Sequence, residues 1–571
     1  MNKQWIRTLL AASLLSASSL GAVSAVAPQG IVAAAAATHT IALSTDSAER
    51  GQTVTVSGAY EPNAWISLRG IDSTKQIVIY EAAKSGADGQ YAFTIVVPDT
   101  ASAGELLIAT GAGEQVAKAS LTIVSGDGNG NGNGNGNGNG NSNNMGNGSI
   151  QRVTQPESIK DGVILLKVAT TAGSDGRLAA TAAIGADVVL EALKQNSRNV
   201  RIQLDVADAN EVNVRLTAEA LAALQSAGTS STVIEIATPL GHYKLPSGLL
   251  NREALSKALG VPAEQVEVRV SIRQATASQE AAIDSAIADI GGGQASESID
   301  YEVIVSGGGK DMALNPGSTY IERTMPLLKA IDPSRATGVL FDPATKALRF
   351  MPTTFESVNG QTTATIKRNG NSLYTVIERD AAFRDLPDGH WSKADVELLA
   401  AKLVVTGVDA DRYVPNAKVT RAEFAALIVR ALGLEEQSGG TAFSDVGSSA
   451  WYAGAVGAAY EAGIIRGYED GTFRSGRSIT RQELAVLVDN ALAYVGYRAE
   501  GLAVERQLTV FADEAAIAEW AKRAVAQAQH AGIVEGMPGG LFAPGDHATR
   551  AEAAVMIKRL LTYVEFIDSS H

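Results

Sequence analysis

The chain has 571 residues, of which 45% are hydrophobic and 19% are charged. This length exceeds what a single hydrophobic core usually organises, so the sequence predicts several domains. The 61 acidic residues outnumber the 47 basic ones and give a net charge of −14, which argues against nucleic acid as a partner. There are no cysteines, so an exported form of the chain has no disulfides and each domain depends on its own core.

Residues 1–37 have the features of an export signal. Lys3 and Arg7 form a basic start, residues 8–27 are apolar or small, and residues 33–37 offer small-residue cleavage sites. No later stretch reaches the roughly 18 consecutive apolar residues that a membrane span requires. The sequence therefore predicts a secreted protein whose mature form has no membrane span.

Residues 39–124 have the pattern of an all-β domain. Short runs of β-branched and aromatic residues alternate with turn residues such as Asp88 and Gly89. The runs lie at 53–56, 65–68, 77–80, 91–97 and 121–124. This pattern resembles a small immunoglobulin-like sandwich. Residues 125–149 are almost only Gly and Asn, cannot form a core, and are predicted to be a flexible linker.

Residues 150–380 alternate strand-like and helix-like segments and predict a mixed α+β middle region. The strand candidates are 163–168, 200–206, 233–236, 266–272 and 301–305. The helix candidates are 218–224, 252–259 and 281–290. Asn369 and Gly370 predict a tight hairpin turn between two strands.

No motif in the chain indicates a catalytic or metal site. The six histidines are scattered without a metal-ligating pair, and there is neither a nucleophile elbow nor a phosphate-binding loop. Residues 150–380 have no tryptophan and few other aromatics on which sugars could stack. We therefore predict no catalytic residue, no enzyme activity, no cofactor and no metal. Because paired carboxylates for glycoside hydrolysis are neighbours in space and not in sequence, a glycan hydrolase stays open as an alternative.

The last third of the chain contains one pattern three times. Counted from each tryptophan, a glycine follows after 16 residues, an aromatic residue after 22, and a Thr-Arg-x-Glu box after 29, and each copy begins with Phe-x-Asp. The tryptophan, glycine and aromatic residues are Trp391, Gly407 and Tyr413; Trp451, Gly467 and Phe473; and Trp520, Gly536 and Phe542. This spacing indicates a tandem repeat, with repeats at 381–436, 441–498 and 509–568.

Each repeat predicts a helix, a loop and a second helix. Val396, Leu399, Ala400 and Leu403 follow Trp391 at helical spacing. The second helix starts at a capping box, in which the Thr hydroxyl and the Glu carboxylate each accept the other residue's backbone N–H. The capping residues are Thr420 and Glu423, Thr480 and Glu483, and Thr549 and Glu552.

The arginine inside each box has no packing reason in the sequence to recur. It lies in the first turn of a helix, where the helix dipole disfavours a cation. One interpretation is that Arg421, Arg481 and Arg550 bind an external anion together with free backbone N–H groups. The alternative is a salt bridge to a neighbouring repeat, for instance to Asp385, Asp445 or Asp513.

These repeats closely resemble the S-layer homology repeat, which usually occurs three times. The resemblance covers roughly residues 383–567 and is carried by F-S-D-V at 443–446, W-Y-A-G-A-V at 451–456, G-Y-E-D-G-T-F at 467–473 and I-T-R-Q-E at 479–483. It implies an all-α bundle of three helix-loop-helix repeats. It also implies a cell-surface location, with non-covalent attachment to a secondary wall polysaccharide that carries pyruvate ketals.

The resemblance also implies a polysaccharide site. The arginines would bind the ketal carboxylate, the tryptophans would wall the sugar grooves, and the glycines would let the backbone approach the ligand. The implied residues are Trp391, Gly407, Arg421, Trp451, Gly467, Arg481, Trp520, Gly536 and Arg550. An alternative role for the tryptophans is in the core, at the helix starts. The loops 407–413 and 536–542 depart from the family pattern, and we expect that two grooves, not all three, bind the ligand.

Two strings of the middle region, 238–246 and 371–376, also resemble segments that precede the repeats in other proteins of this kind. No activity comes with that resemblance, and we expect a supporting or spacer role. The sequence thus predicts a wall-anchored S-layer or S-layer-associated protein, with the wall polysaccharide and other S-layer subunits as candidate partners. The alternatives are a wall-anchored glycan hydrolase or an adhesin with its site in residues 39–380.

Overall fold

The computed structural model describes residues 40–124, 153–436 and 442–569, apart from gaps at 51, 61, 63–64, 72–76, 98–103, 113–114, 174, 230, 503 and 509. The predicted export signal and the predicted linker lie outside the described residues. Two compact units are present, residues 1–144 and 145–571. The protein is multidomain: its N-terminal and middle regions are mostly β-sheet, and its C-terminal region is helical.

The first unit consists of eight described strands in two sheets around one core. The strands are β1 (Ala42–Leu43), β2 (Ser47–Glu49), β3 (Thr53–Ala59), β4 (Trp65–Ile71), β5 (Ile77–Lys84), β6 (Gln90–Val96), β7 (Gly104–Ala112) and β8 (Gln115–Val124). The sheet orders are β1-β3-β6 and β2-β8-β7-β4-β5. Alternation places Val54 and Val56 of β3 in the core, with Phe93 of β6 from the same sheet and Leu106 and Ile108 of β7 from the other.

The middle region has eighteen described strands and four helices. The strands are β9 (Ser158–Lys160), β10 (Val163–Lys167), β11 (Thr170–Ala172), β12 (Leu178–Ile184), β13 (Asn199–Asp205), β14 (Glu211–Leu216), β15 (Val233–Thr238), β16 (Gly241–Pro246), β17 (Glu267–Gln274), β18 (Gly292–Gln294), β19 (Ile299–Gly307), β20 (Lys310–Ala313), β21 (Ile321–Pro326), β22 (Ala336–Asp342), β23 (Ala347–Met351), β24 (Thr353–Val358), β25 (Gln361–Arg368) and β26 (Leu373–Arg379). The helices are α1 (Ala186–Gln195), α2 (Ala218–Ala227), α3 (Arg252–Leu259) and α4 (Ala277–Asp289).

These strands form two large sheets. One has the order β24-β25-β21-β16-β15-β13-β10-β9, and the other has the order β11-β12-β14-β17-β19-β26-β22-β23, with β18 paired to β26 and β20 to β19. A single core takes apolar residues from both sheets, such as Ile202 and Ile236 from the first and Val214 and Val270 from the second. All the strand and helix candidates of this region correspond to observed elements, whereas α1 was not predicted.

The prediction of a hairpin at Asn369 and Gly370 is wrong. β25 pairs with β21 and β24 in the first large sheet, whereas β26 pairs with β22 in the second, so the segment crosses between sheets. Its polar groups bind a buried side chain instead. The Gly370 carbonyl and the Asn371 side-chain oxygen both accept hydrogen bonds from the guanidinium of Arg323.

Arg323 joins the two strings that the sequence singled out in the middle region. Its side chain is fully buried, and its guanidinium lies 5.4 Å from the ring centre of Tyr243 and 5.0 Å from that of Tyr374. The Tyr243 hydroxyl donates to Asn371 Oδ1 at 2.8 Å. Residues 238–246 and 371–376 are therefore neighbours around one cation, which the aromatic faces and carbonyl oxygens stabilise.

The C-terminal region has seven described α-helices around a third core. They are α5 (Lys393–Ala401), α6 (Arg421–Ala431), α7 (Ala453–Glu461), α8 (Arg481–Tyr494), α9 (Val504–Leu508), α10 (Glu519–His530) and α11 (Arg550–Tyr563). Val396, Leu399 and Ala400 are buried as their spacing predicts. Leu403 lies beyond the end of α5 with φ of 62°, so the predicted first helix is shorter than its apolar spacing suggests.

The middle region packs directly on the repeats within the second unit. The Thr353 N–H donates to the Phe566 carbonyl at 2.8 Å, and the Phe355 N–H donates to the Asp568 carboxylate at 3.1 Å. Lys402, between α5 and the following loop, donates to the carbonyls of Pro333 and Ala336 at 2.6 Å each. Hydrogen bonds thus connect residues before the predicted boundary at residue 380 with residues after it.

Candidate functional site: three grooves between the repeats

Each second helix of a repeat begins with the capping box. In repeat two, Thr480 Oγ1 accepts the Glu483 N–H at 3.3 Å, and Glu483 Oε2 accepts the Thr480 N–H at 2.8 Å. The same pair of bonds is present at Thr420 and Glu423 and at Thr549 and Glu552. These boxes fix the start of α6, α8 and α11, and therefore the position of the arginine that follows each threonine.

The aspartate of each Phe-x-Asp shapes the loop of its own repeat. Asp445 accepts the backbone N–H groups of Phe473 and Arg474, each at 2.7 Å. Asp385 and Asp513 bind the equivalent pairs in repeats one and three. The second residue of each pair has positive φ, although none is glycine: these residues are Val414, Arg474 and Ala543. The aspartates therefore stabilise a strained turn, and they are not the ion-pair partners that the salt-bridge alternative named.

Glycine is required on steric grounds after the first helix of repeats one and two. A Cβ on Gly467 would lie 2.4 Å from Phe443 and 2.9 Å from the Thr472 carbonyl, and a Cβ on Gly407 would be 2.3 Å from the Asp409 carbonyl. At Gly536 the nearest atom would be at an ordinary 3.5 Å. In the first two repeats, therefore, the missing side chain of the glycine leaves room for the phenylalanine and the turn of the same repeat to pack closely.

Each box arginine packs on the neighbouring repeat. Arg421 donates its Nε–H to the Phe473 carbonyl at 3.0 Å, and its guanidinium lies 4.9 Å from the Phe473 ring centre. Arg481 makes the same contacts with Phe542, and Arg550 makes them with Tyr413. The aromatic residue 22 positions after each tryptophan is thus the packing partner of an arginine. This contact explains by packing why the arginine recurs, which the sequence alone did not show.

The backbone N–H groups at these helix starts are also in use. The Arg421 N–H donates to the Arg477 carbonyl at 2.9 Å, and the Arg481 N–H donates to the Asp546 carbonyl at 2.9 Å. The Arg550 N–H donates to the Ala417 carbonyl at 2.9 Å. These N–H groups are therefore not free for an external anion, and only the arginine side chains could bind one.

The three tryptophans lie at the surface, outside the core that the alternative role required. Trp391, Trp451 and Trp520 are 61%, 66% and 60% exposed. Each lies at the start of its repeat's first helix, at the edge of a groove between repeats. A large exposed indole is a flat apolar surface on which a sugar ring can pack.

The arginines and tryptophans meet in three grooves, each named here for the repeat that supplies its capping glutamate. In every groove the glutamate comes from one repeat, the arginine from the repeat before it, and the tryptophan from the repeat after it, in cyclic order. The first groove (about 180 Å³) has Glu423, Arg550 and Trp451; the second (about 280 Å³) has Glu483, Arg421 and Trp520; the third (about 550 Å³) has Glu552, Arg481 and Trp391. Residues as far apart in the chain as Trp391 and Glu552 are thus combined into equivalent sites.

Two of the three predicted glycines line a groove. Gly467 lies in the second groove and Gly536 in the third. Gly407 does not line the first groove; Thr406, the residue before it, does so instead. Of the nine predicted site residues, eight therefore line a groove.

The grooves differ in their charged groups. In the third groove, Arg481 Nη1 donates to Glu552 Oε1 at 2.7 Å; in the second, Arg421 and Glu483 are 3.9 Å apart. Burial raises the pKa of Glu483, but hydrogen bonds from Thr480 and the charges of nearby arginines outweigh it, so its pKa lies below the ordinary value. Glu483 therefore stays ionised near neutral pH.

Sequence reasoning missed a position that lines all three grooves. Ten residues after each capping threonine lie Arg430, Asn490 and Arg559, in the first, second and third grooves respectively. Arg430 donates to the Val404 carbonyl at 3.0 Å, and Asn490 donates to the Ile464 carbonyl at 3.0 Å. Their constant distance of ten residues from the capping threonine could have identified this position from the sequence.

The comparisons with known proteins identify the C-terminal region. The S-layer homology domain family matches residues 382–425, 442–485 and 510–554. The chain carries three S-layer homology domains. Such domains indicate anchoring to the cell wall and place this protein at the cell surface.

The proteins similar to this chain include ones named as an enzyme, as an anchoring protein and as a surface-layer protein. An "Amylopullulanase" of Thermoanaerobacterium thermosulfurigenes is 38% identical over 42% of this chain and 13% of its own length. A "Cellulosome-anchoring protein" of Acetivibrio thermocellus is 31% identical over 27% of this chain and 34% of its own. A "Surface-layer 125 kDa protein" of Lysinibacillus sphaericus is 31% identical over 31% of this chain and 14% of its own. The chain thus spans about a third or less of each of these relatives.

Within the described parts of the chain, no helix is long and apolar enough to cross a membrane.

Proposed function

We propose that the S-layer homology domains attach this protein to the wall by binding an anionic secondary polysaccharide in the three grooves between their repeats, one groove more than the two expected from the loop sequences. The observation that carries this proposal is the exposure of Trp391, Trp451 and Trp520, each at the edge of a groove that also contains a box arginine from another repeat, buried in the second and third grooves and partly buried in the first. Sugar rings would pack on the indoles, and a carboxylate such as that of a pyruvate ketal would pair with the guanidinium groups.

In this proposal the box arginines have two roles at once. A guanidinium has five N–H donors, and the contacts of Arg550 with the Tyr413 and Thr406 carbonyls use its Nε and Nη2 atoms. The remaining donors can bind a carboxylate in the first groove, where Glu423 makes no ion pair with Arg550 among the described residues. One side chain would thus join two repeats and bind the ligand.

The test is co-sedimentation of the full chain with purified cell-wall sacculi. Binding is expected to disappear after acid stripping of the secondary polysaccharide and after removal of pyruvate ketals. Single Trp391→Ala, Trp451→Ala and Trp520→Ala variants should bind more weakly, because each loses a sugar platform without changing the core. Val358→Ala, which removes an exposed apolar side chain of the middle region, is the control. Undiminished binding to stripped sacculi would contradict the proposal.

We also propose an S-layer or S-layer-associated role, with other S-layer subunits as partners and the N-terminal unit displayed outward. The described residues 40–124 support an immunoglobulin-like assignment, since two sheets of short, mostly antiparallel strands share one core. The helix pairs of the three repeats, joined cyclically by their arginines, support a threefold bundle. Domain limits of 39–124 and 150–380 remain part of this proposal.

A second candidate function is glycan hydrolysis by the middle region, because the relatives include a protein named as an amylopullulanase. Glu235 is the buried carboxylate among the described residues of that region, and it pairs with Arg201 at 2.8 Å and His242 at 3.2 Å. The hydrogen bond from His242 lowers the pKa of Glu235 against the effect of burial. A general acid needs a raised pKa, so this geometry fits a structural ion pair better. Release of reducing ends from wall polysaccharide by the wild type would establish the enzyme, and loss of that activity in Glu235→Gln with unchanged thermal unfolding would assign Glu235 to it.

A further inference from the structure

A cleft of about 610 Å³ lies between the middle region and the first repeat. We name it the junction cleft. Its walls are Phe350 of β23 and Arg379 of β26 on one side, and Leu403, Asp409 and Arg430 of repeat one on the other. The volume falls within the roughly 300–1,000 Å³ of small-ligand pockets, and the lining combines apolar and charged side chains.

The junction cleft has two arginines that lack an acidic partner among the described residues. Arg379 donates to the Ala400 carbonyl at 2.8 Å, and its Nε is buried without a hydrogen-bond partner in the described structure. Arg430 donates to the Val404 carbonyl at 3.0 Å. Burial lowers the pKa of Arg430, and the charge of Glu436 offsets this in part. Both side chains remain cations and have donors left for a ligand.

Of the three acidic residues that line the junction cleft, Glu436 alone acts on one of these two arginines, Arg430, and it makes no ion-pair contact with it in the described structure. Asp380 pairs with Arg335, and Asp409 pairs with Arg412. A third cation, Arg349, also lines the cleft and pairs with Asp342 at 3.2 Å. The remaining charge favours an anionic ligand.

The junction cleft adjoins the first groove. Val405, Thr406 and Arg430 line both of them, so Arg430 forms part of the wall between the two. A chain molecule that is bound beside Trp451 and Arg550 in the first groove can therefore extend past Arg430 to Arg379 without leaving the protein surface. A polysaccharide is such a molecule, and its sugars carry the mixture of polar and apolar faces that this lining offers.

We propose that the junction cleft is an additional binding site for an anionic sugar of the wall polysaccharide, so that the middle region takes part in anchoring. This inference rests on the proposed function, because the ligand is the one proposed for the grooves. Arg379 and Arg349 of the middle region and Arg430 of the first repeat would bind its acidic group. The wall-binding surface then extends beyond the repeats themselves.

The test compares variants of the full chain in binding acid-released wall polysaccharide, measured by calorimetry. Arg379→Gln should weaken binding about tenfold, the effect of losing one charge-assisted hydrogen bond pair. Ala410→Trp, at an exposed position on the rim, should fill the cleft and weaken binding similarly. The matched controls are Arg198→Gln and Ala227→Trp, at exposed positions elsewhere in the middle region, and they should bind like the wild type.

Two results are decisive. Wild-type affinity in both cleft variants, with a wild type that binds, would overturn the junction cleft while leaving the grooves intact. A wild type that does not bind the polysaccharide would overturn the proposed function itself. Thermal unfolding of each variant accompanies the titrations; if Arg379→Gln proves unstable, Ala410→Trp decides the matter, since it leaves the core unchanged.

Discussion

The box arginines contribute to stability as well as to the grooves. Arg481 is buried, donates to the Phe542 carbonyl at 2.7 Å, and pairs with Glu552. We therefore expect Arg481→Ala to lower the free energy of unfolding by about 3 kcal/mol, as for loss of buried charged hydrogen bonds. Arg477→Ala, on a more exposed arginine of the same repeat, should cost less than about 1 kcal/mol. Urea unfolding of both variants gives the comparison, and equal stabilities would assign Arg481 to ligand binding alone.

The two glycines Gly467 and Gly536 occupy the same repeat position but meet different surroundings. Gly467→Ala should cost about 2 kcal/mol, because the new methyl group would overlap Phe443 and the Thr472 carbonyl. Gly536→Ala should change stability by less than about 0.5 kcal/mol, since its nearest contact would be at 3.5 Å. Thermal unfolding of the two variants checks this difference. A similar loss in both would mean that the glycines serve backbone flexibility and not packing.

At the residue scale, the sequence showed which residues recur in the repeats but not which of them are exposed to solvent. The spacing singled out Trp451, Arg421 and Gly467, yet an aromatic residue at a helix start can face either the core or solvent. That choice depends on the neighbouring repeats, which lie around 60 residues away in the chain. The role of Arg421 in docking on Phe473 was hidden for the same reason: its partner is in the next repeat.

Among the elements, the loop of each repeat depends on its Phe-x-Asp aspartate. Burial alone raises the pKa of Asp385, but the backbone N–H groups of Tyr413 and Val414 outweigh it, so the pKa lies below its ordinary value of 3.8. A carboxyl group with a lowered pKa in the folded state stabilises the fold above its unfolded-state pKa and loses this contribution as pH falls through the folded-state value.

We therefore expect Asp385→Asn to be less stable than the wild type at pH 7 and to approach it as the pH falls below about 4. Urea unfolding between pH 7 and pH 3 measures the difference between the two proteins. Ser444→Ala, a change at an exposed position of the equivalent segment in repeat two, is the control. A difference that stays constant with pH would show that the ionised form of Asp385 is not the one that binds the loop.

Element prediction succeeded where local signals agree with the tertiary structure. The capping boxes could be read from four residues each because the cap is local, and β10, β13 and β17 were visible from their β-branched and other apolar residues. The segment at Asn369 and Gly370 has the local chemistry of a hairpin but joins two different sheets, since β25 and β26 find their partners far away in the chain. Local sequence could not contain that information.

For the whole second unit, the pKa of Lys402 depends on the contact between the middle region and the repeats, because this contact buries its side chain. Burial lowers the pKa of its ammonium group to about 8. A lysine with a lowered folded-state pKa destabilises the fold fully below that value, and the penalty decreases as pH rises from about 8 toward the unfolded-state value of 10.5.

The stability of the wild type relative to Lys402→Met should therefore increase by about 2 kcal/mol between pH 7 and pH 10. The difference between the two proteins isolates this lysine from the tyrosines that titrate in the same range. Chemical unfolding at several pH values checks it. A pH-independent difference would mean that Lys402 is accessible to water in solution and that the contact between regions is looser than described.

The hydrogen bonds of Thr353 and Phe355 with Phe566 and Asp568 have a mechanical consequence. The last described residues of the third repeat attach to strand β24, so the middle region is fastened to both the first and the third repeat. Tension applied to a wall-bound molecule from its N-terminal side would then be shared between two attachment points. Detachment would then require both attachment points to break together. The repeats could not be pulled off one after another.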